Sequence, residues 1–203
     1  MTPSSPLVHM WPKIKKRCTG MSMQVVSFEN TPDAARGLAN LGQDMDVVVG
    51  VFDDAFLRER SCAGLEFSRE PLCCAVPVDS DLASLDKITL SDLHDHSLLL
   101  IRRGWNVDID ALRDEILESH PQINLVDFPQ YRAEVFNQCT NEDLTLATLA
   151  LWGGVDPMLK TLPTDWEWSV SYGLLHSPEP AEHVREFPEA IKEVLDEQLL
   201  EGK

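Results

Sequence analysis

The 203-residue sequence predicts an α/β fold, and three features carry that prediction. The opening alternates helix-period and strand-period apolar patterns in the order helix, strand, helix, strand. The segment Asp46–Phe52, DVVVGVF, is apolar on both faces, as strands of a helix-covered parallel sheet require. Capping and stop residues punctuate the chain at short intervals, with no repeat, low-complexity tract or long linker between them.

Leu7, Met10, Trp11 and Ile14 recur at helical spacing, with Pro12 expected to kink or restart the helix and Gly20 to end it. Met21–Phe28 reads as a strand. Thr31-Pro32-Asp33 opens a helix with a capping hydroxyl, proline at the first helical position and acid in the first turn. Ala34, Ala35, Leu38 and Leu41 form its apolar face, and Gly42 closes it. After the strand Asp46–Phe52 the next is Pro71–Pro77, then a short helix over Leu85–Leu93 capped by Ser91 or Thr89. Ser97–Ile101 is an apolar strand running into the polar loop Arg102-Arg103-Gly104-Trp105-Asn106. Asp108 is expected to cap a helix carrying Ile109, Leu112 and Ile116. Ile123–Phe128 reads as a strand and Val135–Cys139 as one more. Thr140–Asp143 is expected to cap a helix Leu144–Trp152, stopped by Gly153-Gly154. Trp168–His176 reads as a strand and Ala181–Leu200 as a closing amphipathic helix, with Val184, Phe187, Ile191, Val194, Leu195 and Leu199 on one stripe and Pro188 interrupting it.

Composition limits the function. There are 17 basic and 34 acidic residues, a formal charge of −17, so the chain by itself should repel nucleic-acid phosphate. The cluster Lys13, Lys15, Lys16 and Arg17 lies on one expected helix and reads as a solvated face. No stretch reaches the roughly 18 apolar residues of a membrane span, and the N-terminus lacks a secretory pattern, so a cytoplasmic location is expected. The five cysteines, Cys18, Cys62, Cys73, Cys74 and Cys139, are odd in number and irregular in spacing, unlike a disulfide framework. Cys73 and Cys74 should point to opposite faces of one strand, and buried thiols outweigh a redox switch as their reading.

Candidate chemistry concentrates in four polar loops that follow strands and open helices: residues 2–6, 30–31, 102–106 and 137–141. In open α/β sheets ligands bind beyond the carboxyl ends of strands, where unpaired helix N-terminal N–H groups attract anions. Thr2, Ser4, Ser5 and Thr140 offer hydroxyl donors, and Arg102 or Arg103 offers bidentate pairing with a carboxylate. Thr31 and Thr140 also have a plainer reading as helix caps. The RRGWN loop is the most suggestive, since it joins cations, glycine and an aromatic plate directly after a buried strand. Catalytic patterns are weak. There is no phosphate-binding glycine loop and no nucleophile elbow. His94-Asp95-His96 holds metal-ligand types but reads as a solvated turn, so neither metal nor cofactor is expected.

The order of elements also carries a resemblance. WPKIKKRCTGMSMQVVSFEN, followed by LANLGQDMDVVVGVFD, resembles the first lobe of the effector-binding domain of LysR-type transcriptional regulators, whose leucine-glycine-aspartate run into an apolar strand is matched by Leu41-Gly42 and Asp46–Val49. EPLCCAVPVDSDLA, Glu70–Ala83, is similar to that family's crossover strand, with Asp79-Ser80-Asp81 in place of the usual His-Pro. ITLSDLHDHSLLLIRRG resembles the helix and strand that come next. EVFNQCTNEDLTLATLALW and DPMLKTLPTDWEWSVSYGLLHSPEP resemble one sub-group of these regulators.

The resemblance covers essentially the whole chain. It implies a two-lobed, type II periplasmic-binding-protein-like fold with two crossover strands. Lobe one is expected at residues 1–70 plus 178–203 and lobe two at 71–177. No DNA-binding segment is expected within the sequence, which opens in what corresponds to the loop after the family's first strand. The implied function is sensing of a small-molecule effector, such as a carboxylate, in a homodimer or larger homo-oligomer that reaches DNA only through a separate domain. The implied effector-binding residues are Thr2, Ser4, Ser5, Thr31, Phe52, Arg102, Arg103, Gly104, Trp105, Asn137 and Thr140. The runner-up is a solute-binding protein serving a transporter. An enzyme and a stand-alone oligomerisation module come behind it.

Overall fold

The computed structural model describes residues 5–18, 24, 41–43, 45–129, 131 and 133–201. The expected strand Met21–Phe28 and the helix opening at Thr31 lie outside the described residues. The chain divides into two compact units. One comprises Arg69–Val170, and the other comprises Thr2–Ser68 with Ser171–Lys203.

The discontinuous unit holds α1 (Ser5–Arg17), β1 (Val47–Phe52), α2 (Asp54–Glu59) and α5 (Glu182–Glu201). It also holds the first part of β2 (Ala63–Pro77) and the last part of β7 (Ser169–His176). Leu7, Met10, Ile14 and Cys18 of α1 pack with Leu174 of β7 and with Phe187, Ala190, Ile191 and Val194 of α5. Pro12 stays inside α1 without ending it, because apolar residues on both sides of it are fastened to the same core. Arg17 adds a 3.1 Å contact to Glu193 and a second ion pair to Glu197. Among the described residues β1 has one strand neighbour. It pairs antiparallel with β7, Gly50 opposite Gly173, and is only half-buried along most of its length. β7 lies between β1 and β2. A Cβ on Gly173 would come within 2.0 Å of the Leu65 carbonyl oxygen, so this close approach requires glycine.

The continuous unit holds β3 (Ser97–Ile101), α3 (Val107–Ser119), β4 (Asn124–Phe128), α4 (Ala133–Glu142), β5 (Thr145–Leu149) and β6 (Leu159–Pro163). Its strands run in the order β6-β2-β5-β3-β4. β3 is parallel to both β4 and β5, and β2 is antiparallel to β5 and β6. Every residue of β5 and all but the first of β3 are buried, which explains why TLATL and the LLLI of β3 are apolar or β-branched throughout.

Four expectations are corrected in this unit. Val135–Cys139 is not a strand. It lies inside α4, where Val135, Phe136 and Cys139 form the buried helical stripe. Leu144–Trp152 is not a helix. Its core is β5, followed by a single 3-10 turn at Ala150–Trp152. Two 3-10 turns, Asp81–Ser84 and Ser91–Leu93, replace the expected helix Leu85–Leu93. Thr89 does serve the second of them. Its N–H and hydroxyl donate to Asp92 Oδ2 at 2.8 and 2.7 Å, and the Asp92 N–H donates back to Thr89 Oγ1 at 3.2 Å. Finally, Asn106 rather than Asp108 caps α3, its Oδ1 accepting from Asp108 N at 2.9 Å and Ile109 N at 3.4 Å.

Candidate functional site

The carboxyl ends of three parallel strands meet in the continuous unit. Ile101 at the end of β3 stands opposite Phe128 at the end of β4, and β5 ends beside them at Leu149. Strand ends of this kind are where α/β sheets bind ligands. Three segments leave them: the loop 102–106 after β3, the segment through Tyr131 after β4, and the 3-10 turn Ala150–Trp152 after β5.

The loop 102–106 is held by carboxylates of α3, the helix it opens. Arg102, Arg103 and Gly104 are exposed, Trp105 is half-buried and Asn106 is buried. Gly104 has φ +89, and its N–H donates to both oxygens of Asp110 at 3.2 and 3.0 Å. Arg103 forms a fork with Asp114, one arm at 3.3 Å, and this pairing holds the Asp114 carboxyl below its ordinary range. Arg69 on β2 donates to Asp108 Oδ2 at 3.2 Å and to Ser169 Oγ at 3.1 Å. Arg113, buried on α3, donates to the carbonyl of Ile101 at 2.8 Å and pairs with Asp127 at 2.7 Å, so it fixes the end of β3. Arg103, Arg69 and Arg113 are thus each matched to a carboxylate. Arg102 has no ion-pair partner among the described residues.

After β4 and β5 the surface turns aromatic. Tyr131 lies between Phe128 and Trp152, with ring centroids 4.8 and 4.5 Å away. Its hydroxyl donates to the Ala147 carbonyl at 2.7 Å, and burial pushes that phenol above its ordinary range. Five buried side-chain polar atoms have no hydrogen-bond partner among the described residues: Asn106 Nδ2, Arg113 Nε, Thr148 Oγ1, Trp152 Nε1 and Trp166 Nε1. The first four belong to these strand ends or to the segments leaving them, and α3 bears one of them. Unpaired buried polar atoms are uncommon in folded proteins, so their gathering along one edge marks it as a place where an outside partner is expected.

The remaining sequence-predicted residues are dispersed. Thr2, Ser4 and Thr31 lie outside the described residues, as does the side chain of Ser5, whose backbone starts α1. Phe52 ends β1 in the other unit, buried with Leu41, Phe56, Cys62 and Leu175. Asn137 and Thr140 sit in the middle and last turn of α4 rather than in a strand-to-helix loop. Asn137 is exposed, and the Thr140 hydroxyl donates to the Phe136 carbonyl of its own helix at 3.4 Å. Sequence reasoning missed Tyr131, Thr148 and Trp152, because their relevance depends on burial and on which strand ends adjoin.

Other chemistry-bearing groups have structural employment. All five cysteines are free and buried. Burial pushes each thiol upward, Cys139 to about 12, so none is prepared as a thiolate. The expected solvated turn His94-Asp95-His96 instead supplies half of a histidine pair. His94 Nε2 faces His120 Nδ1 at 2.9 Å, with ring centroids 5.2 Å apart. Among the described residues no group of three potential ligands gathers around a metal position.

No protein-family model matches the sequence, and no curated protein matches it either. Solved structures do match. CbnR, a LysR family transcriptional regulator, superimposes with TM-score 0.69 at 14% identity over 94% of this chain and 65% of that one. The oxidised form of OxyR gives 0.67 at 17% identity over 96% and 92%. The effector-binding domain of QuiR in complex with shikimate gives 0.66 at 12% identity over 95% and 89%. ArgBP from T. maritima, a solute-binding protein, follows at 0.59 and 17% identity over 96% and 79%. Shared by regulatory domains of LysR type and by a solute-binding protein, the architecture of this chain is the type II periplasmic-binding-protein fold.

Proposed function

We propose that this chain is the effector-binding domain of a LysR-type transcriptional regulator, a ligand sensor and not a catalyst. The observation that carries the reading is the row of unpaired buried polar atoms on the carboxyl edge of β3, β4 and β5, within a fold that QuiR uses to hold shikimate. Most of these atoms are donors, so they suit a small molecule rich in acceptor oxygens. Effector contacts are assigned first to Arg102, Trp105 and the start of α3. Thr2, Ser4, Ser5 and Thr31 are proposed as further contributors. Arg103 and Gly104 act as loop supports, because Asp114 and Asp110 already engage them. The proposed lobes are residues 1–70 plus 178–203 and residues 71–177.

Binding alters the oligomer on DNA by favouring one domain arrangement, to the extent that the ligand's affinity for the alternatives differs. DNA contact belongs to a separate domain, because a chain of charge −17 is repelled by phosphate. The solute-binding reading ranks second, since ArgBP superimposes less well than the regulatory domains. A cytoplasmic location is part of the regulator reading. No described helix is long and apolar enough to cross a membrane. A thermal-shift screen of organic acids tests the proposal. An acid at a hundred times its dissociation constant should add about 2.7 kcal/mol of stability. A chain that no organic acid stabilises, or that is found exported, would not be this sensor.

A further inference from the structure

Asn106 has two jobs that its single amide separates. Its Oδ1 caps α3, accepting from the N–H groups of Asp108 and Ile109. That contact fixes which end of the amide is oxygen, so the other end is an NH2 donor. This Nδ2 is buried and has no hydrogen-bond partner among the described residues, although Asn106 is only 4% exposed. A buried donor without an acceptor is costly, and a cap does not need one, because serine and aspartate cap about as well without an NH2 group. The unpaired donor sits at the N-terminus of a 13-residue helix, four residues beyond Arg102, whose guanidinium has no ion-pair partner among the described residues. The neighbouring donors are already committed, Gly104 N–H to Asp110 and Arg103 to Asp114.

Resting on the sensor reading above, we propose that Asn106 is a specificity-determining residue of the effector site. Its Nδ2 donates to a carboxylate or carbonyl oxygen of the ligand, and Arg102 supplies the positive charge beside it. The ligand class is a small organic acid that presents an acceptor oxygen at the start of α3. Asn106 thus serves the ligand with the end of its amide that the helix does not use.

Asn106→Asp tests this directly. Aspartate keeps the capping oxygen and suits a helix N-terminus, but removes the donor and places an acceptor opposite the ligand oxygen. Shikimate, benzoate, pyruvate and citrate serve as probes on the full chain. Melting temperature is read on the unsubstituted, Asn106→Asp and Asn106→Ser chains, and the side-chain amide resonance on chain labelled at asparagine. The expected result is a probe that stabilises the unsubstituted chain and shifts the Asn106 amide resonance with the same saturation. Its affinity should fall about tenfold or more in both variants while their ligand-free melting temperatures stay close to that of the unsubstituted chain. A probe that binds all three chains equally overturns the role of Asn106 and leaves the sensor reading standing. If none of the four stabilises the unsubstituted chain, the assignment of this ligand class falls, and the wider organic-acid screen decides the sensor reading.

Discussion

The loop after β3 shows how side chains of one type divide by partner. Arg102 and Arg103 are adjacent and exposed, yet only Arg103 is matched to a carboxylate, Asp114. Replacing Arg102 with alanine is expected to weaken an acid ligand by about 1.5–3 kcal/mol in calorimetry, whereas Arg103→Ala should act mainly through the loop. Gly104 is a backbone requirement. Its φ of +89 strains any side chain, while a Cβ there would meet nothing within 4 Å. Gly104→Ala should therefore cost about 1–2 kcal/mol in denaturant titration, from the backbone alone. The sequence shows this loop plainly, because cations, glycine and tryptophan follow an apolar strand. It does not show that Asp110 and Asp114 turn back onto the loop, since acids in the first two turns of a helix look the same whether they meet solvent or a guanidinium. Nor does it show the unpaired atoms of Asn106, Thr148 and Trp152, which emerge only when burial is known.

Among the elements, strands with one strong signature were legible and short mixed segments were not. Ser97–Ile101 stands where its apolar run places it, and α5 falls within a residue of its predicted limits at either end. The exchange of α4 and β5 has a local cause. VFNQC reads as a strand by composition, but its buried positions Val135, Phe136 and Cys139 fit a helix. TLATL carries helix-forming leucines and alanine, but a strand buried on both faces between β2 and β3 overrides that propensity. The Thr89–Asp92 exchange predicts a pH effect. Hydrogen bonds from Thr89 lower the Asp92 carboxyl below its ordinary range. The folded value is depressed, so this stabilisation is present above the unfolded carboxyl range and lost as pH falls through the folded one. Asp92→Asn should flatten the acid limb of the stability curve measured by chemical denaturation. Ile191, fully buried between α1 and β7, should cost about 2–5 kcal/mol on truncation to alanine.

For the molecule as a whole, the charge of −17 predicts that the isolated chain will not retard duplex DNA in a mobility-shift assay at physiological salt. The alternation of elements and the quoted motifs made the fold readable, whereas the antiparallel placement of β1 depended on β7, a partner more than a hundred residues away. That distance has a consequence for biosynthesis. α1 precedes much of the surface it packs on, since Leu174 and α5 come far later in the sequence, and Arg17 meets Glu193 176 positions further along the chain. Until β7 and α5 are made, α1 can meet only the β1 and β2 side of that core, Val47, Val49, Leu65 and Phe67. The 69–170 segment is contiguous and can condense as soon as it leaves the exit tunnel. A nascent chain halted before α5 should therefore resist protease over 69–170 and be cut within α1.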